Sequence, residues 1–326
     1  QYNQMNLEKL NRGVVAVRNA QGQVYVTWRL LRSDAPDQSF EVYRNGEKIS
    51  GRVQVNGATV MGNEQLSVGG TCFVDEAPLP PAAGDVEYRV TGGGIDGSYV
   101  LKANAPVGYL PIALDKPSDG NTPDGRTFSY SPNDASVGDV DGDGEYEIIL
   151  KWDPSNSHDN SHNGYTGDVI FDCYKLSVKK LWRINLGKNI RAGAHYTQFL
   201  VYDFDGDGKA EMMCKTVPGS KDGKGKYVSE AATTDYIQAV DNTKDRRNSD
   251  GKVKGGQEWL TVFNGETGEA IHTVLYNPNR NGNYDRFDGV NGWTENWDDR
   301  TGKTDKEYGN RGERYLAAVA WIDGVE

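Results

Sequence analysis

From Arg12 to about Gly108, short apolar runs alternate with polar positions and turn residues: Gly13-Val14-Val15-Ala16-Val17, Val24-Tyr25-Val26-Thr27-Trp28, Phe40-Glu41-Val42-Tyr43-Arg44 and Val86-Glu87-Tyr88-Arg89-Val90. A period of two sends one set of side chains into a core and the other into solvent, which predicts half-buried strands. Asn45-Gly46, directly after the third run, supplies the positive φ angles of a tight hairpin.

A strand with a core tryptophan, an aromatic-rich hairpin and a closing Tyr-x-Val strand resemble a fibronectin type III sandwich over roughly the first 105 residues. Pro106, Pro111, Pro117 and Pro123, with Asp119-Gly120 and Asp124-Gly125, then break the pattern. The expected division is a sandwich over 1–110 and a second domain over 111–326.

The second domain contains an internal repeat. Ser136 to Lys151 aligns without gaps on Leu200 to Lys215, an offset of 203 − 139 = 64 residues, and each copy carries Asp-x-Asp-Gly-Asp-Gly followed by an apolar run. Two further strand candidates follow each copy, Val169 to Leu176 and Lys180 to Leu186 in the first, Glu258 to Phe263 and Ala270 to Tyr276 in the second. Four strands per unit is the plan of a propeller blade. A third start runs from Tyr315 to Gly324, with Trp321 in place of the first aspartate. Two blades and one opening strand cannot close a ring, so an incomplete propeller is expected.

Composition supports an all-β reading: 40 glycines, 18 tyrosines and 7 tryptophans accompany only 4 methionines in 326 residues. A formal charge of −11 without a lysine or arginine block argues against nucleic acid as a partner. Gln1 to Leu10 lack the basic start and apolar run of a signal peptide, and no window approaches a membrane span, so a soluble, processed chain is expected. Cys72, Cys173 and Cys214 are odd in number and lie in strand-like runs, which favours buried free thiols.

The acid motif points to calcium. Carboxylates at alternating positions of a glycine-kinked loop can wrap one hard cation. The candidate ligands are Asp139, Asp141, Asp143 and Glu147 in one loop and Asp203, Asp205, Asp207 and Glu211 in the other. An EF-hand needs an acid at loop position 12 and a helix beyond it, but that position is Leu150 or Cys214, each in a strand-type run. Sites this rich in ligands suit a calcium-rich compartment outside the cytosol.

Between the loops lies a long polar segment, Lys151-Trp152-Asp153-Pro154-Ser155-Asn156-Ser157-His158-Asp159-Asn160-Ser161-His162, and later Asn189-Ile190-Arg191-Ala192-Gly193-Ala194-His195-Tyr196-Thr197-Gln198. With Tyr130 to Asp139, Leu181 to Lys188 and Phe263 to Gly268, these stretches resemble the rhamnogalacturonan lyases of polysaccharide lyase family eleven. The resemblance implies a secreted, cell-surface or periplasmic bacterial enzyme with an eight-bladed calcium-rich propeller. Its implied partner is rhamnogalacturonan I, the acidic backbone of pectin, cleaved by β-elimination.

That chemistry removes the C5 proton of a galacturonate beside a carboxylate, so a cation on the carboxylate and a base at C5 are required. The resemblance implies that Asn133 and Asp153 face the cleft, and Asn156 joins them as a candidate substrate contact. Arg191 is a candidate carboxylate ligand, and His195 a candidate base because histidine titrates near neutrality. Lys151 is a third catalytic candidate, although Lys215 recurs at its repeat position and suggests a structural place in the blade. His158, Asp159, Asn160 and His162 read as loop or calcium contacts, and Trp293 and Trp297 as sugar-stacking or packing residues. A non-catalytic calcium-stabilised carbohydrate-binding or adhesion module is the competing reading, and a hydrolase a third.

Overall fold

A computed structural model describes residues 8–50, 53–54, 70–177, 179–193, 195–253, 256–276 and 313–320. Trp293, Trp297, Trp321 and the Asp323-Gly324 pair lie outside the described residues. The chain is all-β, and two compact units form: residues 9–113 with 142–145, and residues 1–8, 114–141 and 146–326. Among the described residues no helix is long and apolar enough to cross a membrane.

The first unit holds two antiparallel sheets. In one, β1 (Val15–Arg18), β2 (Val24–Thr27) and β6 (Cys72–Asp75) pair in that order. In the other, β4 (Glu47–Lys48), β3 (Ser39–Arg44), β7 (Val86–Thr91) and β8 (Gly97–Leu101) follow one another, and β5 (Val53–Gln54) also pairs with β3. Strict alternation of burial in β1, β2, β3 and β7 sends Ala16, Val24, Val26, Phe40, Val42, Val86, Tyr88 and Val90 into one core with Trp28 and Leu101. Asn45 and Gly46 both have positive φ, 47° and 83°, so the expected turn joins β3 to β4. A buried ion pair of Arg12 with Asp34 stands beside this core, with 2.6 Å between Nη1 and Oδ2.

In the second unit a small hairpin of β9 (Gly120–Asn121) and β10 (Thr127–Phe128) turns at Gly125. Two four-stranded antiparallel meanders follow: β11 (Tyr130–Gly138), β12 (Glu147–Pro154), β13 (Ile170–Tyr174) and β14 (Lys180–Asn185), then β15 (Phe199–Tyr202), β16 (Glu211–Thr216), β17 (Trp259–Phe263) and β18 (Ala270–Leu275). The strands expected around and after the two acid loops are present within two residues of their bounds, but residues 315–320, where a third opening strand was expected, form no strand. Residues of β12 and β13 are almost continuously buried because both faces are covered, which explains their unbroken Ile-Ile-Leu and Ile-Phe runs. Ile149, Phe171, Cys173, Trp182 and Ile184 of the first meander share one core with Met212, Cys214, Trp259 and Phe263 of the second. Direct bonds stitch the sheets together: Ala210 N donates to Asp139 O at 2.8 Å and Trp182 Nε1 donates to Gly265 O at 2.6 Å.

The repeats differ in one respect that the strand pattern did not foresee. Between β16 and β17 the chain folds a 3-10 turn, Val228–Ala231, and one helical turn, Asp235–Gln238. Val228, Ala232 and Ile237 from this insert complete the shared core. Cys173 and Cys214 are buried free thiols, and Cys72 is half-buried.

Candidate functional site

The two acid loops are near copies in conformation as well as sequence. Glycines at matching positions carry positive φ, 77° and 88° at Gly142 and Gly144, 77° and 94° at Gly206 and Gly208, angles that any side chain would strain. Matching hydrogen bonds close each turn: Val140 N donates to Glu147 Oε2 at 3.0 Å, and Phe204 N to Glu211 Oε2 at 2.9 Å. Each loop leads into a strand, β12 or β16, and not into a helix, so neither is an EF-hand.

Asp139, Asp141 and Glu147 bring one oxygen each within 4.8 Å of one another, and Asp203, Asp205 and Glu211 do the same. Asp143 and Asp207 stand outside these groups and accept from the amides of Glu145 at 2.9 Å and Lys209 at 2.8 Å. The donor set, carboxylate oxygens only, fits a hard divalent cation. Two further observations fit it. Asp141 Oδ1 is buried without a hydrogen-bond donor among the described residues. Burial, reinforced by Asp205, Asp207 and Asp203, pushes Glu211 up to about 7 in the absence of a cation.

A second constellation gathers where the first strands of the two meanders begin. The β11–β12 register shifts between Pro132 and Ala135, so Asn133 and Asp134 form a bulge that turns both side chains to solvent. Thr197, one repeat later at 133 + 64, has a positive φ of 57° and is buried. A β-branched residue at positive φ is an outlier of the kind that collects at functional sites. The same end of each first strand is therefore irregular.

Around this point several polar atoms are buried with no protein partner among the described residues: Asn156 Nδ2, His158 Nε2, Asp159 Oδ1, Asn160 Oδ1 and Thr197 Oγ1. They contrast with buried Asp172, which takes Trp152 Nε1, Tyr174 Oη and Arg183. His158 Nδ1 donates to Asn156 O at 2.6 Å, which fixes the orientation of the ring. Burial, with Arg191 and His162 adding positive charge nearby, lowers the pKa of His158. Asn160 N donates to Tyr196 Oη at 2.8 Å and ties the polar segment to the stretch before β15.

The candidate residues take distinct places here. His195 is exposed, at 66% of its side chain, with Nδ1 3.8 Å from Asp159 Oδ2. Lys151 is buried in β12, donating to Asp134 Oδ2 at 2.8 Å and Tyr196 O at 3.2 Å. Lys215, its repeat partner, instead meets Glu258 and Glu313. Asp153 is half-buried; burial raises its pKa, Lys151 opposes the shift and Asp134 adds to it. Asn156 Oδ1 accepts from Gly167 N at 2.9 Å.

Arg191 requires a correction. Its Nε donates to His158 O, Nη1 to Gly164 O and Gly251 O, and Nη2 to His162 O and Asp159 O. All five N–H groups are thus committed to backbone carbonyls, and nothing remains for a substrate carboxylate. The arginine is a buried staple for the polar segment, a role its place in the sequence did not signal. Arg314 was also missed: its guanidinium pairs with Asp159 across 155 residues of chain.

Residues 109–326 match the family model described as rhamnogalacturonan lyase family 11, C-terminal domain, and residues 5–75 match the rhamnogalacturonan I lyase β-sheet domain. The chain is similar to two Bacillus subtilis (strain 168) proteins. Identity is 45% over 321 residues with the rhamnogalacturonan exolyase YesX, covering 98% of this chain and 45% of the relative. With the rhamnogalacturonan endolyase YesW it is 46% over 319 residues, covering 98% of this chain and 44% of the relative. The crystal structure of exotype YesX superposes with a TM-score of 0.73 at 43% identity over 98% of this chain and 46% of that one. A Bacillus licheniformis rhamnogalacturonan lyase gives a TM-score of 0.73 at 46% identity over 98% and 47%. The chain thus spans a little under half the length of its relatives, and it belongs to rhamnogalacturonan lyase family 11.

Proposed function

We propose that this chain is part of a rhamnogalacturonan lyase that cleaves the rhamnose-galacturonate backbone of pectin by β-elimination. The carrying observation is the 45% identity to a rhamnogalacturonan exolyase across 98% of the chain, which includes the whole polar constellation. On this reading the two meanders are blades of a calcium-binding propeller and residues 1–110 are a fibronectin type III-like sandwich. The two carboxylate groups, built only of hard oxygen donors, support calcium as their ion. A polymer too large to cross a membrane supports an exported enzyme.

In the reaction the C5 proton of a galacturonate passes to a base, the electron pair forms the C4–C5 double bond, and the C4–O bond breaks. The departing oxygen takes up a proton. A cation bound to the uronate carboxylate would neutralise charge that builds up as C5 loses its proton. His195, exposed and 3.8 Å from Asp159, is suited to receive that proton. Asn133 on the bulge and half-buried Asp153 are suited to hold sugar hydroxyls, with Lys151 fixing Asp134 beside them. Arg191 acts at a distance by holding the segment that carries His158 and Asp159.

The test is incubation of the intact enzyme with rhamnogalacturonan I while following ultraviolet absorbance of the unsaturated uronate. A rise with calcium present supports the lyase. Saturated fragments would identify a hydrolase, and binding without any product a carbohydrate-binding module.

A further inference from the structure

The lysine and the arginine named for the polar segment by sequence alone are already occupied. Lys151 is held by Asp134 and the Tyr196 carbonyl, and Arg191 by five carbonyls. Arg314 differs. It gives Nη2 to Asp159, keeps 38% of its side chain exposed, and has no other bonded acceptor among the described residues. Asp159 lies deeper, with 18% of its side chain exposed, so the cation is the outer member of the pair. His195 Nδ1 lies 3.8 Å from the same carboxylate oxygen.

The sequence offsets align these groups. Trp321 stands at the position of Asp139, an offset of 321 − 139 = 182, so Arg314 corresponds to Pro132. His195 corresponds, at offset 64, to Ser131. Ser131, His195 and Arg314 therefore occur within one residue of the same position in three successive repeats, next to Asn133 and its counterpart Thr197.

We propose that Arg314, held by Asp159 beside His195, is the subsite that receives the carboxylate of a hexuronate unit. Asp159 takes Nη2 of the guanidinium, while Nε and Nη1 have no bonded acceptor among the described residues, so charged donors remain for a second carboxylate. In a chain of net charge −11, a local outward cation is what an acidic glycan needs in order to approach. The inference rests on the lyase reading for its choice of glycan, and it adds a residue that sets specificity for the acidic sugar.

The probe is a short rhamnose-galacturonate oligosaccharide and its carboxyl-reduced counterpart, titrated against the intact enzyme and its Arg314→Ala and Arg314→Lys variants. Wild type is expected to prefer the acid at least tenfold. Arg314→Ala should lose that preference while binding the reduced oligosaccharide within about twofold of wild type, and Arg314→Lys should recover only part of it. KM for rhamnogalacturonan I should rise in parallel, with the thermal midpoint unchanged. Retention of the preference in Arg314→Ala overturns the proposal, as does equal weakening toward both oligosaccharides. Absence of unsaturated product from wild type would instead sink the lyase reading, and the binding comparison would still decide the subsite.

Discussion

The ammonium of Lys175 lies 3.8 Å from Glu147 Oε1 and pairs with Asp141, inside the carboxylate group of the first acid loop. Among the described residues no lysine pairs with the grouped carboxylates of the second loop, and Lys209 of that loop turns to Glu266. Register pairs Ile148 with Tyr174 in one meander and Met212 with Phe263 in the other, so the residue after Phe263, Asn264, takes the place of Lys175. Asn264 turns its oxygen to the amide and hydroxyl of Thr267. Two loops with matching acids therefore have different local charge.

This difference predicts unequal affinity for divalent cations. A resident ammonium competes with a metal, whereas Asp203, Asp205 and Glu211 have no lysine paired with them among the described residues. Lys175→Met should tighten calcium binding at the first loop by about tenfold, the scale of one charge a few ångströms away in a partly exposed site. Calorimetric titration of the chelator-stripped enzyme measures it. A variant isotherm that overlays wild type would refute the competition.

Glu211 gives the second loop a pH dependence. Burial and three neighbouring carboxylates hold it at about 7, above its ordinary value of 4.5. A raised carboxyl pKa means that the folded state binds the proton more tightly, so the metal-free protein loses stability as pH rises from about 4.5 through 7. Calcium requires the ionised form and should reverse the trend. Thermal midpoints measured with chelator should fall across that window, and the protection given by added calcium should be larger at pH 8 than at pH 5.

The buried staple makes a mechanical prediction. Arg191→Lys replaces a five-donor fork by three donors on a flexible stem, leaving at least two carbonyls of the set His158, Asp159, His162, Gly164 and Gly251 unpaired. A loss of about 2 kcal/mol or more is expected. Hydrogen exchange should accelerate across residues 158–164 before it changes in β12 or β13. Uniform acceleration throughout the sheet would show that the arginine does not act through this segment.

The strands were legible because the period-two pattern and the 64-residue repeat are local signals, and Gly142, Gly144, Gly206 and Gly208 announce their turns by residue type alone. The grouping of three acids in each loop follows from the same local signals, whereas Asp143 and Asp207 stand outside these groups and accept from amides of their own turns. Arg191 and Arg314 could not be read. A guanidinium bound by carbonyls spread from 158 to 251, or by an aspartate 155 residues away, leaves no trace in spacing. The insert between β16 and β17 was hidden too, because Val228, Ala232 and Ile237 reach the core without any strand period.

Thr197 tests whether strain at the repeat boundary serves function. Its φ of 57° costs a β-branched residue about 1 kcal/mol or more, and its buried hydroxyl has no protein partner among the described residues. Thr197→Gly removes the strain and the orphaned oxygen together, so the thermal midpoint should rise by a few degrees. If the hydroxyl meets substrate, turnover should fall despite the gain in stability, as expected where a strained residue is retained for activity. Thr197→Ser separates the two effects, since it keeps the oxygen and relieves part of the crowding, and should keep most of the turnover. A Gly variant more stable than wild type and equally active would place the strain in the fold alone.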